Sequence, residues 1–156
     1  MIRLQIATPT EMAALGARIA SRLQAGDLVA LNGELGAGKT TLTRGIGDAL
    51  GVRGAVTSPT FVLARTHPRE GGAPLVHVDA YRLGSALELD DLDIDFARSI
   101  VVVEWGEGLL DGVTPSWLQV DIERPIGGEE SENGVEPRTV SISGHGSRWT
   151  ELAWLG

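Results

Sequence analysis

A glycine-rich loop set between an apolar run and a helix constrains this chain more than any other feature. Gly33-Glu34-Leu35-Gly36-Ala37-Gly38-Lys39-Thr40 fits the phosphate-binding pattern G-x-x-x-x-G-K-[ST]. Before it, Asp27 to Asn32 (D-L-V-A-L-N) reads as a short buried strand. After it, Thr41 to Leu50 reads as a helix ended by Gly51. Strand, glycine loop, helix is the order such a loop requires, and it commits the chain to an α/β architecture. Gly45 and Gly47 lower the helix propensity by roughly 1 kcal/mol each relative to alanine.

Lys39 is the only lysine; the other twelve basic side chains are arginines. A forked, planar guanidinium is too wide for the space beside the β- and γ-phosphates, whereas an ammonium on a thin stem enters it. Backbone N–H groups freed by the glycines cradle phosphate, and the following helix adds its positive end. Thr40 supplies a hydroxyl for Mg²⁺. The expected nucleotide-binding segment is therefore Gly33, Glu34, Leu35, Gly36, Ala37, Gly38, Lys39, Thr40 and Thr41, with a nucleotide's phosphates and Mg²⁺ as the ligands.

The chain's 156 residues suit one domain with a real core. Without cysteine there is no disulfide, thiolate metal site or cysteine nucleophile. No apolar run reaches membrane-spanning length and the first residues lack a signal peptide's apolar stretch, so a cytoplasmic protein without membrane association is expected. A formal charge of -8 and the lack of a basic cluster argue against tight direct binding of nucleic acid.

Leu4 and Ile6 suggest a first strand. Thr8 or Thr10 can cap a helix over Glu11 to Leu23, buried through Met12, Leu15, Ile19 and Leu23. Phe61 to Arg65, Leu75 to Asp79, Ile100 to Glu104 and Trp117 to Ile122 read as strands, with Pro68 to Pro74 as a turn. Ser85 to Ala97 reads as an acidic helix. Residues 125–137, rich in glycine and glutamate, read as a mobile surface loop. Thr139 to Ile142 and Trp149 to Leu155 suggest a hairpin, or a strand followed by a short turn. The fold expected is a P-loop NTPase-like, three-layer α/β domain over 1–156. Its mixed sheet is mainly parallel, with antiparallel edge strands.

Two predicted strands end in a carboxylate: V-V-V-Glu104 and L-V-H-V-Asp79. A phosphate-loop enzyme needs such a group for Mg²⁺ or for the attacking water, and residue types alone do not divide the two roles. Ser58 and Thr60, in the proline-stiffened T-S-P-T-F segment, are hydroxyls in a switch-like position, although an ordinary turn is the simpler reading. Arg82 suits either a phosphoryl group or a surface ion pair. Trp105 suits packing or a lid. His67, His77 and His145 show no metal-ligand spacing and read as structural.

Together, G-E-L-G-A-G-K-T-T, T-S-P-T-F, H-V-D-A-Y-R-L and V-E-W-G-E, in this order and spacing, resemble the bacterial TsaE (YjeE) family. The resemblance runs from about residue 10 to residue 142. It implies a small ATPase required for threonylcarbamoyladenosine modification of tRNA, acting through a complex of TsaB and TsaD that ATP hydrolysis resets. It further implies that Lys39 binds phosphate, that Thr40 and Glu104 hold Mg²⁺, and that Asp79 serves hydrolysis. Ser58 to Thr60 would sense the nucleotide, and Arg138 would match a late arginine near it. Many members of that family have a threonine about four residues before the first helical Leu-Gly; here Met12 stands before Leu15-Gly16, a departure on the adenine side of the pocket.

Two other functions compete on residue types. A small-molecule kinase of the P-loop class needs an arginine-bearing lid, and Arg65 and Arg69 in a short glycine-rich loop make a poor one. A regulatory GTPase needs N-K-x-D, which a chain with Lys39 as its sole lysine lacks. The acidic stretch Glu88 to Asp95 reads as a solvated helix face or as a docking surface for a basic partner.

Overall fold

The computed structural model describes residues 1–33, 38–52, 64–69, 71–79, 94–104, 116–123 and 137–155, and of Asp79 the backbone. Among them, seven strands form one mixed sheet in the order β1-β7-β6-β2-β5-β4-β3. These are β1 (Ile2–Ile6), β2 (Leu28–Gly33), β3 (Ala64–His67), β4 (Leu75–Asp79), β5 (Ile100–Glu104), β6 (Trp117–Glu123) and β7 (Arg138–His145). Its centre is parallel: β6, β2, β5 and β4 run the same way. Antiparallel pairs flank that centre on both sides, β4 with β3 and β6 with β7, followed by β7 with β1. The fold is the mixed α/β arrangement expected, with parallel and antiparallel pairings equal in number, three each.

Burial follows sequence pattern. β5 (I-V-V-V-E) is buried at every position, as suits a strand between two parallel neighbours. β6 alternates between half-exposed and buried positions until Glu123, because its second face is not enclosed.

Two helices lie on one face. α1 (Pro9–Ala20) starts at Thr8, whose Oγ1 accepts from the Glu11 backbone N–H at 3.1 Å. Glu11 reaches back to accept from the Ala7 N–H at 2.8 Å, a reciprocal cap. α2 (Lys39–Leu50) begins two residues earlier than its apolar pattern suggests and ends at Gly51, in a left-handed conformation (φ 73°). The helices cross at glycines. A Cβ on Gly16 would stand 2.5 Å from the Leu42 carbonyl, and one on Gly45 would strike the Ala13 backbone. The glycine that weakens α2 in isolation is the point where α1 touches it.

The larger apolar cluster lies between these helices and the sheet, and includes Met12, Leu15, Ile19, Leu31, Leu42, Ile46 and Val102. The chain from Gly144 onward closes one side of it. After β7, two 3-10 turns, Ser147–Trp149 and Ala153–Leu155, bury Trp149, Leu152 and Leu155. This is the strand-plus-turn alternative rather than a hairpin. Arg148 grips Asp27, just ahead of β2, with Nε and Nη2 at 3.2 and 3.1 Å, and Nη2 also donates to the Arg22 carbonyl at 2.6 Å.

The acidic helix expected from Ser85 to Ala97 falls mostly outside the described residues. Where the chain is described again, Ile94 to Ala97 are not helical. Ile94 and Phe96, two apart, both pack on the second apolar cluster, a spacing no helix face provides. The 125–137 loop likewise lies outside the described residues except for Pro137.

Candidate phosphate-binding site

All four parallel strands finish at the same edge of the sheet, the side on which ligands bind in open α/β folds. β2 ends there at Gly33. Residues 34–37 lie outside the described segments, and the chain resumes at Gly38, the N-cap of α2, at φ 116°. That left-handed backbone is open to glycine and strained for other residues. The space is also closed, because a Cβ on Gly38 would come within 3.2 Å of Met12 Cε. Met12, only 2% exposed, is thus wedged under the start of α2. Lys39 turns back across the loop, and its Nζ donates to the Gly33 carbonyl at 2.7 Å. The sole ammonium of the chain therefore stands at the end of the first parallel strand. Thr40 and Thr41 occupy the next two positions, both partly buried, and Thr43 Oγ1 donates to the Lys39 carbonyl at 2.8 Å.

Strand register brings the carboxylate positions together. Leu31 pairs with Glu104, and Glu104 with Asp79, so both acids end strands beside the loop. Glu104 is buried on the helix-covered face. One neighbour was not anticipated: His77 is fully buried, with Nε2 3.3 Å from Glu104 Oε1. Despite that distance the alignment is not that of a hydrogen bond, and neither His77 nitrogen nor Glu104 Oε1 has a hydrogen-bond partner among the described residues. The available signal was strand alternation, which puts residues two apart on one face. The carboxylate 27 positions away could be supplied only by pairing β4 with β5.

Arg138 opens β7 opposite Ile6, at the same edge of the sheet but beyond β6. Glu34, Leu35, Gly36, Ala37, Ser58, Thr60, Arg82 and Trp105 lie outside the described residues. His67 is buried at the end of β3 and His145 stacks on Trp117 with ring centroids 4.5 Å apart. Among the described residues no helix is long and apolar enough to cross a membrane.

A glycine-capped helix following the central strand of a parallel sheet, with lysine as its first residue, defines a fold of the P-loop type. The family model described as threonylcarbamoyl adenosine biosynthesis protein TsaE matches residues 6–131. The chain is 57% identical over 142 residues to tRNA threonylcarbamoyladenosine biosynthesis protein TsaE of Streptomyces coelicolor, covering 88% of this chain and 93% of that one. It is 30% identical to the protein of that name from Bacillus subtilis, across 97% and 90% of the two chains. The crystal structure of Bacillus subtilis YdiB superposes with a TM-score of 0.65 at 26% identity, over 94% of this chain and 86% of that one. The chain belongs to the TsaE family.

Proposed function

We propose that this protein binds ATP with Mg²⁺ and hydrolyses it in the cytoplasm in support of threonylcarbamoyladenosine modification of tRNA, acting through TsaB and TsaD rather than on tRNA directly. The observation that carries the reading is Lys39 Nζ at the Gly33 carbonyl, beside two strand-end acids in register. The ammonium exchanges that carbonyl for phosphate oxygens, a charge-assisted contact in place of a neutral one.

The residues fit Mg²⁺. Glu104 is a buried carboxylate that makes no ion pair with a lysine or arginine among the described residues and faces only His77 through Oε1, which suits a carboxylate whose other oxygen serves a cation. A Mg²⁺ held partly by phosphate oxygens needs only one or two protein carboxylates. Thr40 and Glu104 would hold it; when bound, it neutralises charge on the β- and γ-phosphates. Gly33 to Thr41 would hold the phosphates, Asp79 would orient and take a proton from the attacking water, and Ser58 and Thr60 would read the γ-phosphate. Arg138, at the shared edge, would approach the nucleotide from the β7 side.

The test is ATP turnover by the purified protein alone and with TsaB and TsaD. Slow turnover alone, raised by the partners and lost in Lys39→Ala, is expected. Turnover absent in both conditions would reject the reading.

A further inference from the structure

Among the described residues, His77 is a completely buried polar side chain whose presence the phosphate site leaves unexplained. It occupies the middle of β4, in register with Val102 of β5, and is completely shielded from solvent. Its strand neighbours Val76 and Val78 belong to the apolar cluster on the opposite face. An aliphatic side chain would fill the position without stranding two ring nitrogens. Nε2 lies 3.3 Å from Glu104 Oε1, a buried carboxylate oxygen, and neither atom has a hydrogen bond among the described residues.

We infer that His77 is a positioning residue for Glu104: its Nε2–H donates to Oε1 when nucleotide and Mg²⁺ load the site, leaving Oε2 as the oxygen that serves the cation. The inference rests on the proposed role of Glu104. Polar contacts at reactive centres are often long or misaligned in the empty protein and tighten on loading. Carboxylates that serve a metal are commonly held in turn by a hydrogen-bond donor, and losing the donor typically weakens metal affinity 10–100-fold. Fixing one oxygen also spares the carboxylate the rotational freedom it would otherwise lose on binding. His77 touches neither phosphate nor water in this account. It acts only through Glu104, from the strand whose end carries Asp79.

The experiment is calorimetric titration with ATP at a series of Mg²⁺ concentrations, and again in EDTA, using the full chain. His77→Leu should raise the Mg²⁺ concentration giving half of the gain in ATP affinity by about tenfold. His77→Gln, whose amide nitrogen extends as far as Nε2, should recover most of that shift, and all variants should bind ATP equally in EDTA. A wild-type Mg²⁺ midpoint in His77→Leu overturns the inference, as does an equal shift in His77→Leu and His77→Gln. If His77→Leu does not fold, His77→Asn replaces it, because its amide reaches only as far as Nδ1. Asn must then show the shift that Gln lacks, and equal midpoints overturn the inference. Glu104→Gln, run alongside, separates the two readings. An unchanged midpoint there removes the assigned role of Glu104 and the role of His77 with it. A shift there with none in His77→Leu removes His77 alone.

Discussion

Asp79 and Glu104 are register partners at the ends of adjacent parallel strands. In the function proposed above, the two acids divide the work between metal and water. We predict that Glu104→Ala weakens Mg²⁺-dependent ATP binding, whereas Asp79→Asn binds ATP near normally and loses most of its turnover. Calorimetry paired with a phosphate-release assay checks this, and the reverse pattern would swap the roles.

Lys39→Arg should fail almost as badly as Lys39→Ala. The wild-type Nζ sits 2.7 Å from the Gly33 carbonyl, in a space a point charge on a thin stem fills and a fork does not. Loss of a charge-assisted contact costs about 1.5–3 kcal/mol, or roughly 10–100-fold in ATP affinity. Near-normal ATP·Mg²⁺ binding by the arginine variant would defeat the geometric argument.

Gly45→Ala should destabilise the fold although alanine is the better helix former. The propensity gain is about 1 kcal/mol. The new methyl strikes the Ala13 backbone, and overpacking of this kind costs about 1–3 kcal/mol before any backbone relief. Urea unfolding should show a lower midpoint, and a higher one would mean that the helices separate freely.

Arg148→Ala should lower stability by roughly 1–3 kcal/mol, since it leaves the buried Asp27 carboxylate with the Gln24 N–H but no cation. Partial exposure of the arginine keeps the loss toward the lower half of that range. Arg148→Lys should recover only part, because an ammonium cannot reproduce the fork onto both oxygens. Thermal unfolding of the two variants makes the comparison; equal stability of wild type and Arg148→Ala would dismiss the clamp.

At physiological salt the protein alone should not shift tRNA in an electrophoretic assay at low micromolar concentration. Its charge of -8 offers few cations to displace counterions. A clear shift would contradict the docking reading.

The strand before the glycine loop and the helix after it were legible because each rests on neighbours in sequence. Gly51 and Thr8 cap their helices as their residue types predict. The strand-end acids were legible as apolar runs closing on a carboxylate. Their adjacency was not, because it depends on β4 pairing with β5. His77 was passed over for the same reason: its significance lies across the sheet, in Glu104. Gly45 read as a flaw because propensity knows nothing of the helix packed against it. Trp149, Leu152 and Leu155 are buried by two separate 3-10 turns with Leu152 between them, a stretch too short and irregular to show a helix or strand period. Extending the acidic helix to Ala97 failed because Ile94 and Phe96 are both drawn onto the apolar cluster of the sheet, a pull that neighbours in sequence do not reveal.

The clamp between Arg148 and Asp27 spans 121 positions of chain. Strand β2 leads directly into the glycine loop, yet its neighbours β5 and β6 and the arginine that fixes its entry all come much later. On the ribosome, therefore, the segment carrying the chain's one lysine is made early and must wait for almost everything else before it is framed. A nascent chain stalled before residue 117 has nothing to pair with one edge of β2, and it should remain open to protease around the very loop to which we assign the nucleotide.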